Sequence, residues 1–194
     1  MKVNDIHAIP EVFRDVYYVD ASKDHAPVKD ILLPIPQCED TLAYMAVFNY
    51  GMWQPVWWGI KHRAEFRFTD MIPRVVYLPV HYRNGNVSPV HASVWLDKQG
   101  ELCQINPDLN SLGEVVIGSV KEAYLPGGFI KGEVYQLYYW NNKEWKWIGE
   151  DKYEDEPLKF EQVPGGALLR LIRPGNYKND ERIFIKWDDE VKWF

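Results

Sequence analysis

Two cysteines, five histidines and 28 acidic residues are the chain's stock for covalent, metal or acid–base chemistry. Cys38 stands in Gln37-Cys38-Glu39-Asp40. Two adjacent carboxylates there disfavour the thiolate that a nucleophile needs. Cys103 falls inside an apolar stretch that predicts a strand, where a thiol is buried and inert. No Gly-x-Ser-x-Gly turn is present to lift a serine into a nucleophile elbow. His81 and His91 flank the turn signal Asn84-Gly85-Asn86, so a hairpin would bring them together. No third ligand follows at a metal-site spacing, and the pair reads as partly exposed histidines at strand ends. The acidic run over residues 150–156 lacks the Asp/Asn alternation with Gly of a calcium loop, and reads as a solvated hairpin loop. Glycoside hydrolysis would need two acids held across a cleft, and no pair stands out. No phosphate-cradling glycine loop or dinucleotide fingerprint occurs. These residues predict no catalytic constellation, no cofactor and no metal site.

The aromatic residues are the remaining candidates: 9 Trp, 12 Tyr and 8 Phe. Trp57-Trp58 and Trp145-Lys146-Trp147 are the densest pairs. In Glu144-Trp145-Lys146-Trp147 a strand puts both indoles on one face and both charges on the other. In Trp57-Trp58 the two rings point to opposite faces, so one of them is free to face outward. Such rings serve either as core or as a platform on which sugar C–H faces stack while neighbouring acids and amides bond the hydroxyls. Trp57, Trp58, Trp145 and Trp147 are therefore the candidate ligand-binding residues.

These side chains must be held by strands. Apolar residues at helical spacing are scarce, whereas short runs of Val, Ile, Tyr, Phe and Trp recur between Gly, Pro, Asn and Asp. Strands are predicted near 12–19, 29–33, 42–48, 54–58, 64–69, 75–81, 93–97 and 102–105. A second set is predicted near 114–120, 133–140, 144–148, 159–162, 167–172 and 182–187. Turns are signalled at Asn84-Gly85, Lys98-Gln99-Gly100, Pro126-Gly127-Gly128 and Pro164-Gly165-Gly166. The pattern is that of an all-β sandwich or barrel.

An internal repeat organises these strands. Placing Phe48-Asn49 on Trp140-Asn141 also places Trp53 on Trp145, at an offset of 92 residues. The same offset superposes Phe68 on Phe160, Met71 on Val163, Tyr77 on Leu169, Trp95 on Trp187 and Asp97 on Asp189. The repeat predicts two tandem, related β-sandwich domains of immunoglobulin-like or galactose-binding-like type, over residues 1–110 and 111–194, packed end to end. The strand at 135–140 is apolar on both faces, which suits burial against two layers. Asn49 and Asn141 follow strand ends and open turns, and Trp53 and Trp145 begin the return strands, cross-packing on the aromatic before the turn.

The chain is 194 residues long with a formal net charge of −6, which argues against nucleic-acid binding. No apolar stretch approaches the roughly 18 residues that span a bilayer. The N-terminal residues carry no apolar core of a signal peptide.

Several motifs resemble one recurring module. They are Ala46-Val47-Phe48-Asn49, Trp53-Gln54-Pro55-Val56-Trp57-Trp58-Gly59, Tyr77-Leu78-Pro79-Val80 and Trp95-Leu96-Asp97-Lys98-Gln99-Gly100. Leu137-Tyr138-Tyr139-Trp140-Asn141, Val163-Pro164-Gly165-Gly166-Ala167-Leu168-Leu169 and Asp180-Glu181-Arg182-Ile183-Phe184 belong with them. Together they resemble the tandem β-sandwich region of large exported proteins of gut Bacteroidetes, which commonly follows a transglutaminase-like domain. The resemblance implies an extracytoplasmic, non-catalytic accessory module that meets glycans or an adjacent catalytic domain of the same parent protein. It brings no catalytic residues. A structural spacer or protein-interaction unit, and a small hydrolase with an inter-domain cleft, are the alternative readings.

Overall fold

A computed structural model describes residues 29–35, 42–49, 51–72, 75–97, 99–105, 108–117, 120–175, 181–187 and 190–194. The strand predicted near 12–19 and Cys38 lie outside these residues. Among the described residues every regular element is a strand. The fold is all-β and of β-sandwich type.

The first nine strands are β1 (Lys29–Leu33), β2 (Leu42–Asn49), β3 (Met52–Trp58), β4 (Ile60–His62), β5 (Glu65–Met71), β6 (Val76–Arg83), β7 (Asn86–Pro89), β8 (Val94–Leu96) and β9 (Leu102–Gln104). They form a small sheet, β1-β5-β4, and a large one, β3-β2-β6-β8-β9, with β7 hairpinned onto β6. Ile31 and Leu33, Met45 and Val47, Phe68, Tyr77, Val94 and Leu96 fill the space between the two sheets. Tyr77 is fully buried, and its hydroxyl accepts from the Ile72 N–H at 3.1 Å and donates to the Ile72 carbonyl at 2.9 Å. Both polar needs of that ring are met inside the core.

The remaining strands are β10 (Val120–Leu125), β11 (Val134–Trp140), β12 (Trp145–Lys152), β13 (Leu158–Pro164), β14 (Leu168–Ile172), β15 (Arg182–Trp187) and β16 (Glu190–Trp193). They form a small sheet, β10-β13, and a large one, β12-β11-β14-β15-β16. Ala123, Leu125, Tyr135, Leu137, Phe160, Leu169, Leu171 and Phe184 make the core between them.

The third core explains the strands that are apolar on both faces. Ala46, Val76, Leu78, Val80 and Trp95 from the first large sheet meet Trp140, Leu168 and Ile185 from the second. Alternation along each strand sends odd and even residues to different cores: Tyr77 goes to the first core, Val76 and Leu78 to the third. The molecule is thus four sheets deep, small–large–large–small. The halves pack sheet on sheet, which corrects the expected end-to-end arrangement. A sheet apolar on both faces buries more of its surface that way, at roughly 25 cal/mol per Å² removed from water.

Strand pairing in the two halves runs in step. Ile31 faces Phe68 and Ala123 faces Phe160; Met45 faces Pro79 and Leu137 faces Leu171. Ala46 faces Pro55 and Tyr138 faces Trp147. Both hairpins carry a bulge at corresponding places, between Met45 and Ala46 and between Leu137 and Tyr138. The offset of 92 is lost from β8 and β15 onward. Val76 faces Trp95, and its counterpart Leu168 faces Ile185, so Ile185 holds the place in the second half that Trp95 holds in the first, and the superposition on Trp187 is corrected. The first half holds hairpin strand β7 there, and the path from Val76 to Trp95 is two residues longer than that from Leu168 to Ile185.

Other expectations shift locally. Of the strand expected at 114–120, Val115 makes an isolated bridge to Leu109 and Val120 opens β10, while a turn lies just before that stretch at Asn110. Asn110 Oδ1 accepts from the N–H groups of Leu112 and Glu114 at 2.9 and 3.0 Å, a side-chain turn that competes with strand pairing. The acidic run at 150–156 begins inside β12, because the β11 ladder continues to the pair Val134–Lys152. Cys103 is half-buried on edge strand β9 and not enclosed in a core.

Candidate functional site

The two equivalent hairpins, β2–β3 and β11–β12, place the four predicted tryptophans. The β11–β12 turn is built by Asn141, whose Oδ1 accepts from the N–H groups of Lys143 at 2.9 Å and Glu144 at 2.8 Å. Asn142 follows in the left-handed region, at φ 77°. Asparagine tolerates that conformation and bonds nearby backbone, so the pair makes a tight return. Trp145 then lies opposite Trp140, and Trp147 opposite Tyr138.

The bulges decide which side chains reach the surface. In β12 the extra residue is Ile148, which has no ladder partner. Past it, Glu150 faces Gln136, so Glu150 shares a face with Trp147 and Tyr138. Without the extra residue Gly149 would hold that place, since side chains alternate with period two. In β3 the same irregularity pairs Trp58 with Tyr44 and Trp57 with Met45. Trp57 is thereby turned into the first core, edge-on to Tyr77 at 6.0 Å. Trp58 is left 61% exposed.

In the second half the result is an aromatic platform beside a polar row. Trp147 is 60% exposed on edge strand β12. Next to it the Tyr138 hydroxyl donates to Gln136 Oε1 at 2.9 Å, and Gln136 Nε2 donates to Glu150 Oε2 at 3.1 Å. These bonds orient the phenol, the amide and the carboxylate on one sheet face, beyond the part where Trp140 and Trp145 join the third core. An amide NH₂ has two donor hydrogens and a carboxylate two acceptor oxygens, so the row keeps capacity for a ligand. The chemistry available is stacking by Trp147 and hydroxyl recognition by Gln136 and Glu150.

The first half differs at the corresponding ladder positions. Pro55, Ala46 and Tyr44 stand where Trp147, Tyr138 and Gln136 stand in the second. Trp58 is opposite half-buried Tyr44, whose ring meets Tyr82 edge-on at 5.6 Å, and Leu42 is exposed along the same strand. This strip is aromatic without a polar row.

Trp145 faces inward. It packs against Trp140 at 5.4 Å and against Phe48 of the other half at 5.1 Å. Of the four predicted residues, Trp58 and Trp147 are at the surface and Trp57 and Trp145 are in cores. Tyr138, Gln136 and Glu150 join the candidate site, and the sequence alone does not single them out. Their one local signal is the spacing of Gln136 and Tyr138, which puts both on one strand face.

The other candidates are dispersed. His81 is buried in β6 opposite Ser88, and His91 Nδ1 lies 2.9 Å from the Ala92 carbonyl. Burial first, and then the Asp97 carboxylate, push the Cys103 thiol up. Among the described residues no group of three or more His, Cys, Asp or Glu is placed to hold a metal ion. No helix among them is long and apolar enough to cross a membrane. The chain matches no protein family, no curated protein and no solved structure with which it was compared.

Proposed function

We propose that the chain is a non-catalytic binding module that takes a glycan on the Trp147 face of its second half. The observation that carries this reading is the meeting, on one sheet face, of an exposed indole with the hydrogen-bonded row Tyr138–Gln136–Glu150. A sugar ring presents an apolar C–H face and an equatorial rim of hydroxyls, and the platform and row match the two. The Glu150 carboxylate and the net charge of −6 favour neutral sugars over uronic or sulfated ones. The resemblance to tandem sandwich regions of exported proteins agrees with an extracytoplasmic accessory role. In this reading the two halves are copies of one module, and the second has acquired the polar row.

Calorimetric titration with soluble neutral oligosaccharides tests it. Gln136→Ala and Glu150→Ala each remove one hydroxyl partner and are expected to weaken binding roughly five- to tenfold, about 1–1.5 kcal/mol per bond. Unchanged affinity in both variants would refute the role of the row.

A second reading rests on the first half. The apolar strip Trp58–Tyr44–Leu42 on edge strand β3 and its neighbour β2 suits a protein partner, such as a neighbouring domain of a parent protein. A crosslink between an exposed β3 residue and such a domain would support it.

A further inference from the structure

The interface between the two halves has the reciprocity of a two-fold dimer. Phe48 and Trp140 are counterparts, as are Trp53 and Trp145, because Phe48 faces Trp53 and Trp140 faces Trp145 in matching ladders. Across the interface Phe48 meets Trp145 at 5.1 Å, and its counterpart Trp140 meets Trp53 at 5.4 Å. Within each half the equivalent pairs lie at 5.3 and 5.4 Å. Residue i of one half touches j of the other, and j touches i; that exchange is the mark of an isologous contact. The Phe48–Trp53 and Phe48–Trp145 pairs meet edge-to-face at 66° and 65°, and the Trp53–Trp140 and Trp140–Trp145 pairs are tilted at 56° and 54°.

Polar contacts fasten the same seam. Glu181 of the second half accepts from the Gly51 N–H of the first half's hairpin at 3.2 Å, while pairing with Arg170 at 2.5 Å. The Arg170 guanidinium lies over the Phe48 ring at 5.2 Å and the Trp145 ring at 5.8 Å. Farther along, Lys192 sits over the Trp95 ring, 3.6 Å from its centroid.

Each half also has its own inter-sheet core, and the connecting segment belongs to the second half. Val115 N–H donates to the Asn141 carbonyl at 3.0 Å, and Asn142 Nδ2 donates to the Gly113 carbonyl at 3.1 Å. Neither core depends on side chains from the other half.

We propose that this interface closes between two copies of the chain as well as within one, the first half of one copy docking on the second half of the other. The occupant is a second copy of this chain, because only that surface supplies the counterpart rings, Glu181 and Arg170. Within one chain the tether gives an effective concentration on the order of millimolar, so the closed monomer dominates while both faces are intact. Exchange becomes visible when the internal closure is broken.

A complementation experiment on the full chain tests this. Trp53→Asp spoils the first-half face and leaves the second intact; Trp145→Asp does the reverse. Each variant alone is expected to lose the near-ultraviolet dichroism of the ring cluster and keep its far-ultraviolet β signal. Mixed at tens of micromolar, the two are expected to form a 1:1 species of twice the chain mass, by native mass spectrometry, with the near-ultraviolet band regained. Separate monomers and no recovered band would overturn the proposal. So would loss of the β signal in the gentler pair Trp53→Ala and Trp145→Ala, because halves that cannot stand apart cannot exchange.

Discussion

Trp140→Ala is the sharpest test of the four-layer packing. Trp140 is 5% exposed and contacts Trp145 in its own half and Trp53 in the other, each at 5.4 Å. Truncating a buried tryptophan costs about 3–5 kcal/mol in lost transfer energy and cavity. Each tilted ring pair accounts for about 0.5–1.5 kcal/mol beyond area. The Trp140 Nε1–H is buried without a hydrogen-bond partner, and its removal returns part of that loss. We take about 4 kcal/mol, a large share of the roughly 5–15 kcal/mol that holds a domain. With a urea slope of about 2 kcal/mol/M the unfolding midpoint falls by about 2 M. Equilibrium unfolding followed by far-ultraviolet dichroism reads this directly, and tryptophan emission gives a second probe. Trp147→Ala, on the surface of the same hairpin, serves as the control and should change stability by less than about 0.5 kcal/mol. A loss below about 1 kcal/mol in Trp140→Ala would refute the packing of the two large sheets.

Gly59→Ala puts a Cβ 2.7 Å from the ring of fully buried Phe68, so it should cost about 1–3 kcal/mol; Gly149→Ala meets Phe160 at an ordinary 3.9 Å and should cost under about 0.5 kcal/mol. Equal melting temperatures for the two variants would contradict the difference in space at these two positions. Glu181→Ala leaves the Arg170 guanidinium, in a side chain only 14% exposed, without its carboxylate, and should destabilise by about 2–4 kcal/mol. Glu181→Gln should recover part of this by keeping an acceptor for the Gly51 N–H, and a thermal melt that ranks the two the other way would oppose the assignment. Cys103, in a Cys38→Ser background, should alkylate more slowly than free cysteine at pH 8, because a raised thiol pKa leaves less thiolate. Its rate should keep climbing at pH values where free cysteine has levelled off; an alkylation profile that levels at lower pH than free cysteine would reverse the sign.

The all-β class is legible because β-branched and aromatic runs recur between turn residues, and those preferences are local. The two-sided apolar character of β11 also announces burial against two layers, although not which sheet supplies the second. Long-range packing is chosen by whole faces, and a single strand carries no record of its partner. The bulges are illegible for a related reason. A bulge is a property of the ladder between two strands, so the Trp57–Trp58 dipeptide shows that one ring can face out without showing which. Glu150 reads as part of a charged loop because its neighbours 151–156 are mostly acidic, yet the β11 ladder carries it into strand. Gln136 reads as a polar interruption of an apolar strand, and gains its meaning only from Glu150 opposite it. Trp145 and Trp147, by contrast, are placed on one face by alternation alone. Contact with Phe48 of the other half encloses Trp145, and Trp147, one pair farther along the strand, stays exposed.

We propose Trp147 as the sugar platform of the second half. Electrophoresis of the folded chain through gels carrying neutral plant and host polysaccharides tests it most directly, with Trp147→Ala and Trp58→Ala alongside. At least one polysaccharide is expected to retard the native chain and Trp58→Ala, while Trp147→Ala is expected to migrate as in a plain gel. Free migration of the native chain in every gel, or retardation of Trp147→Ala equal to that of the native chain, would contradict it.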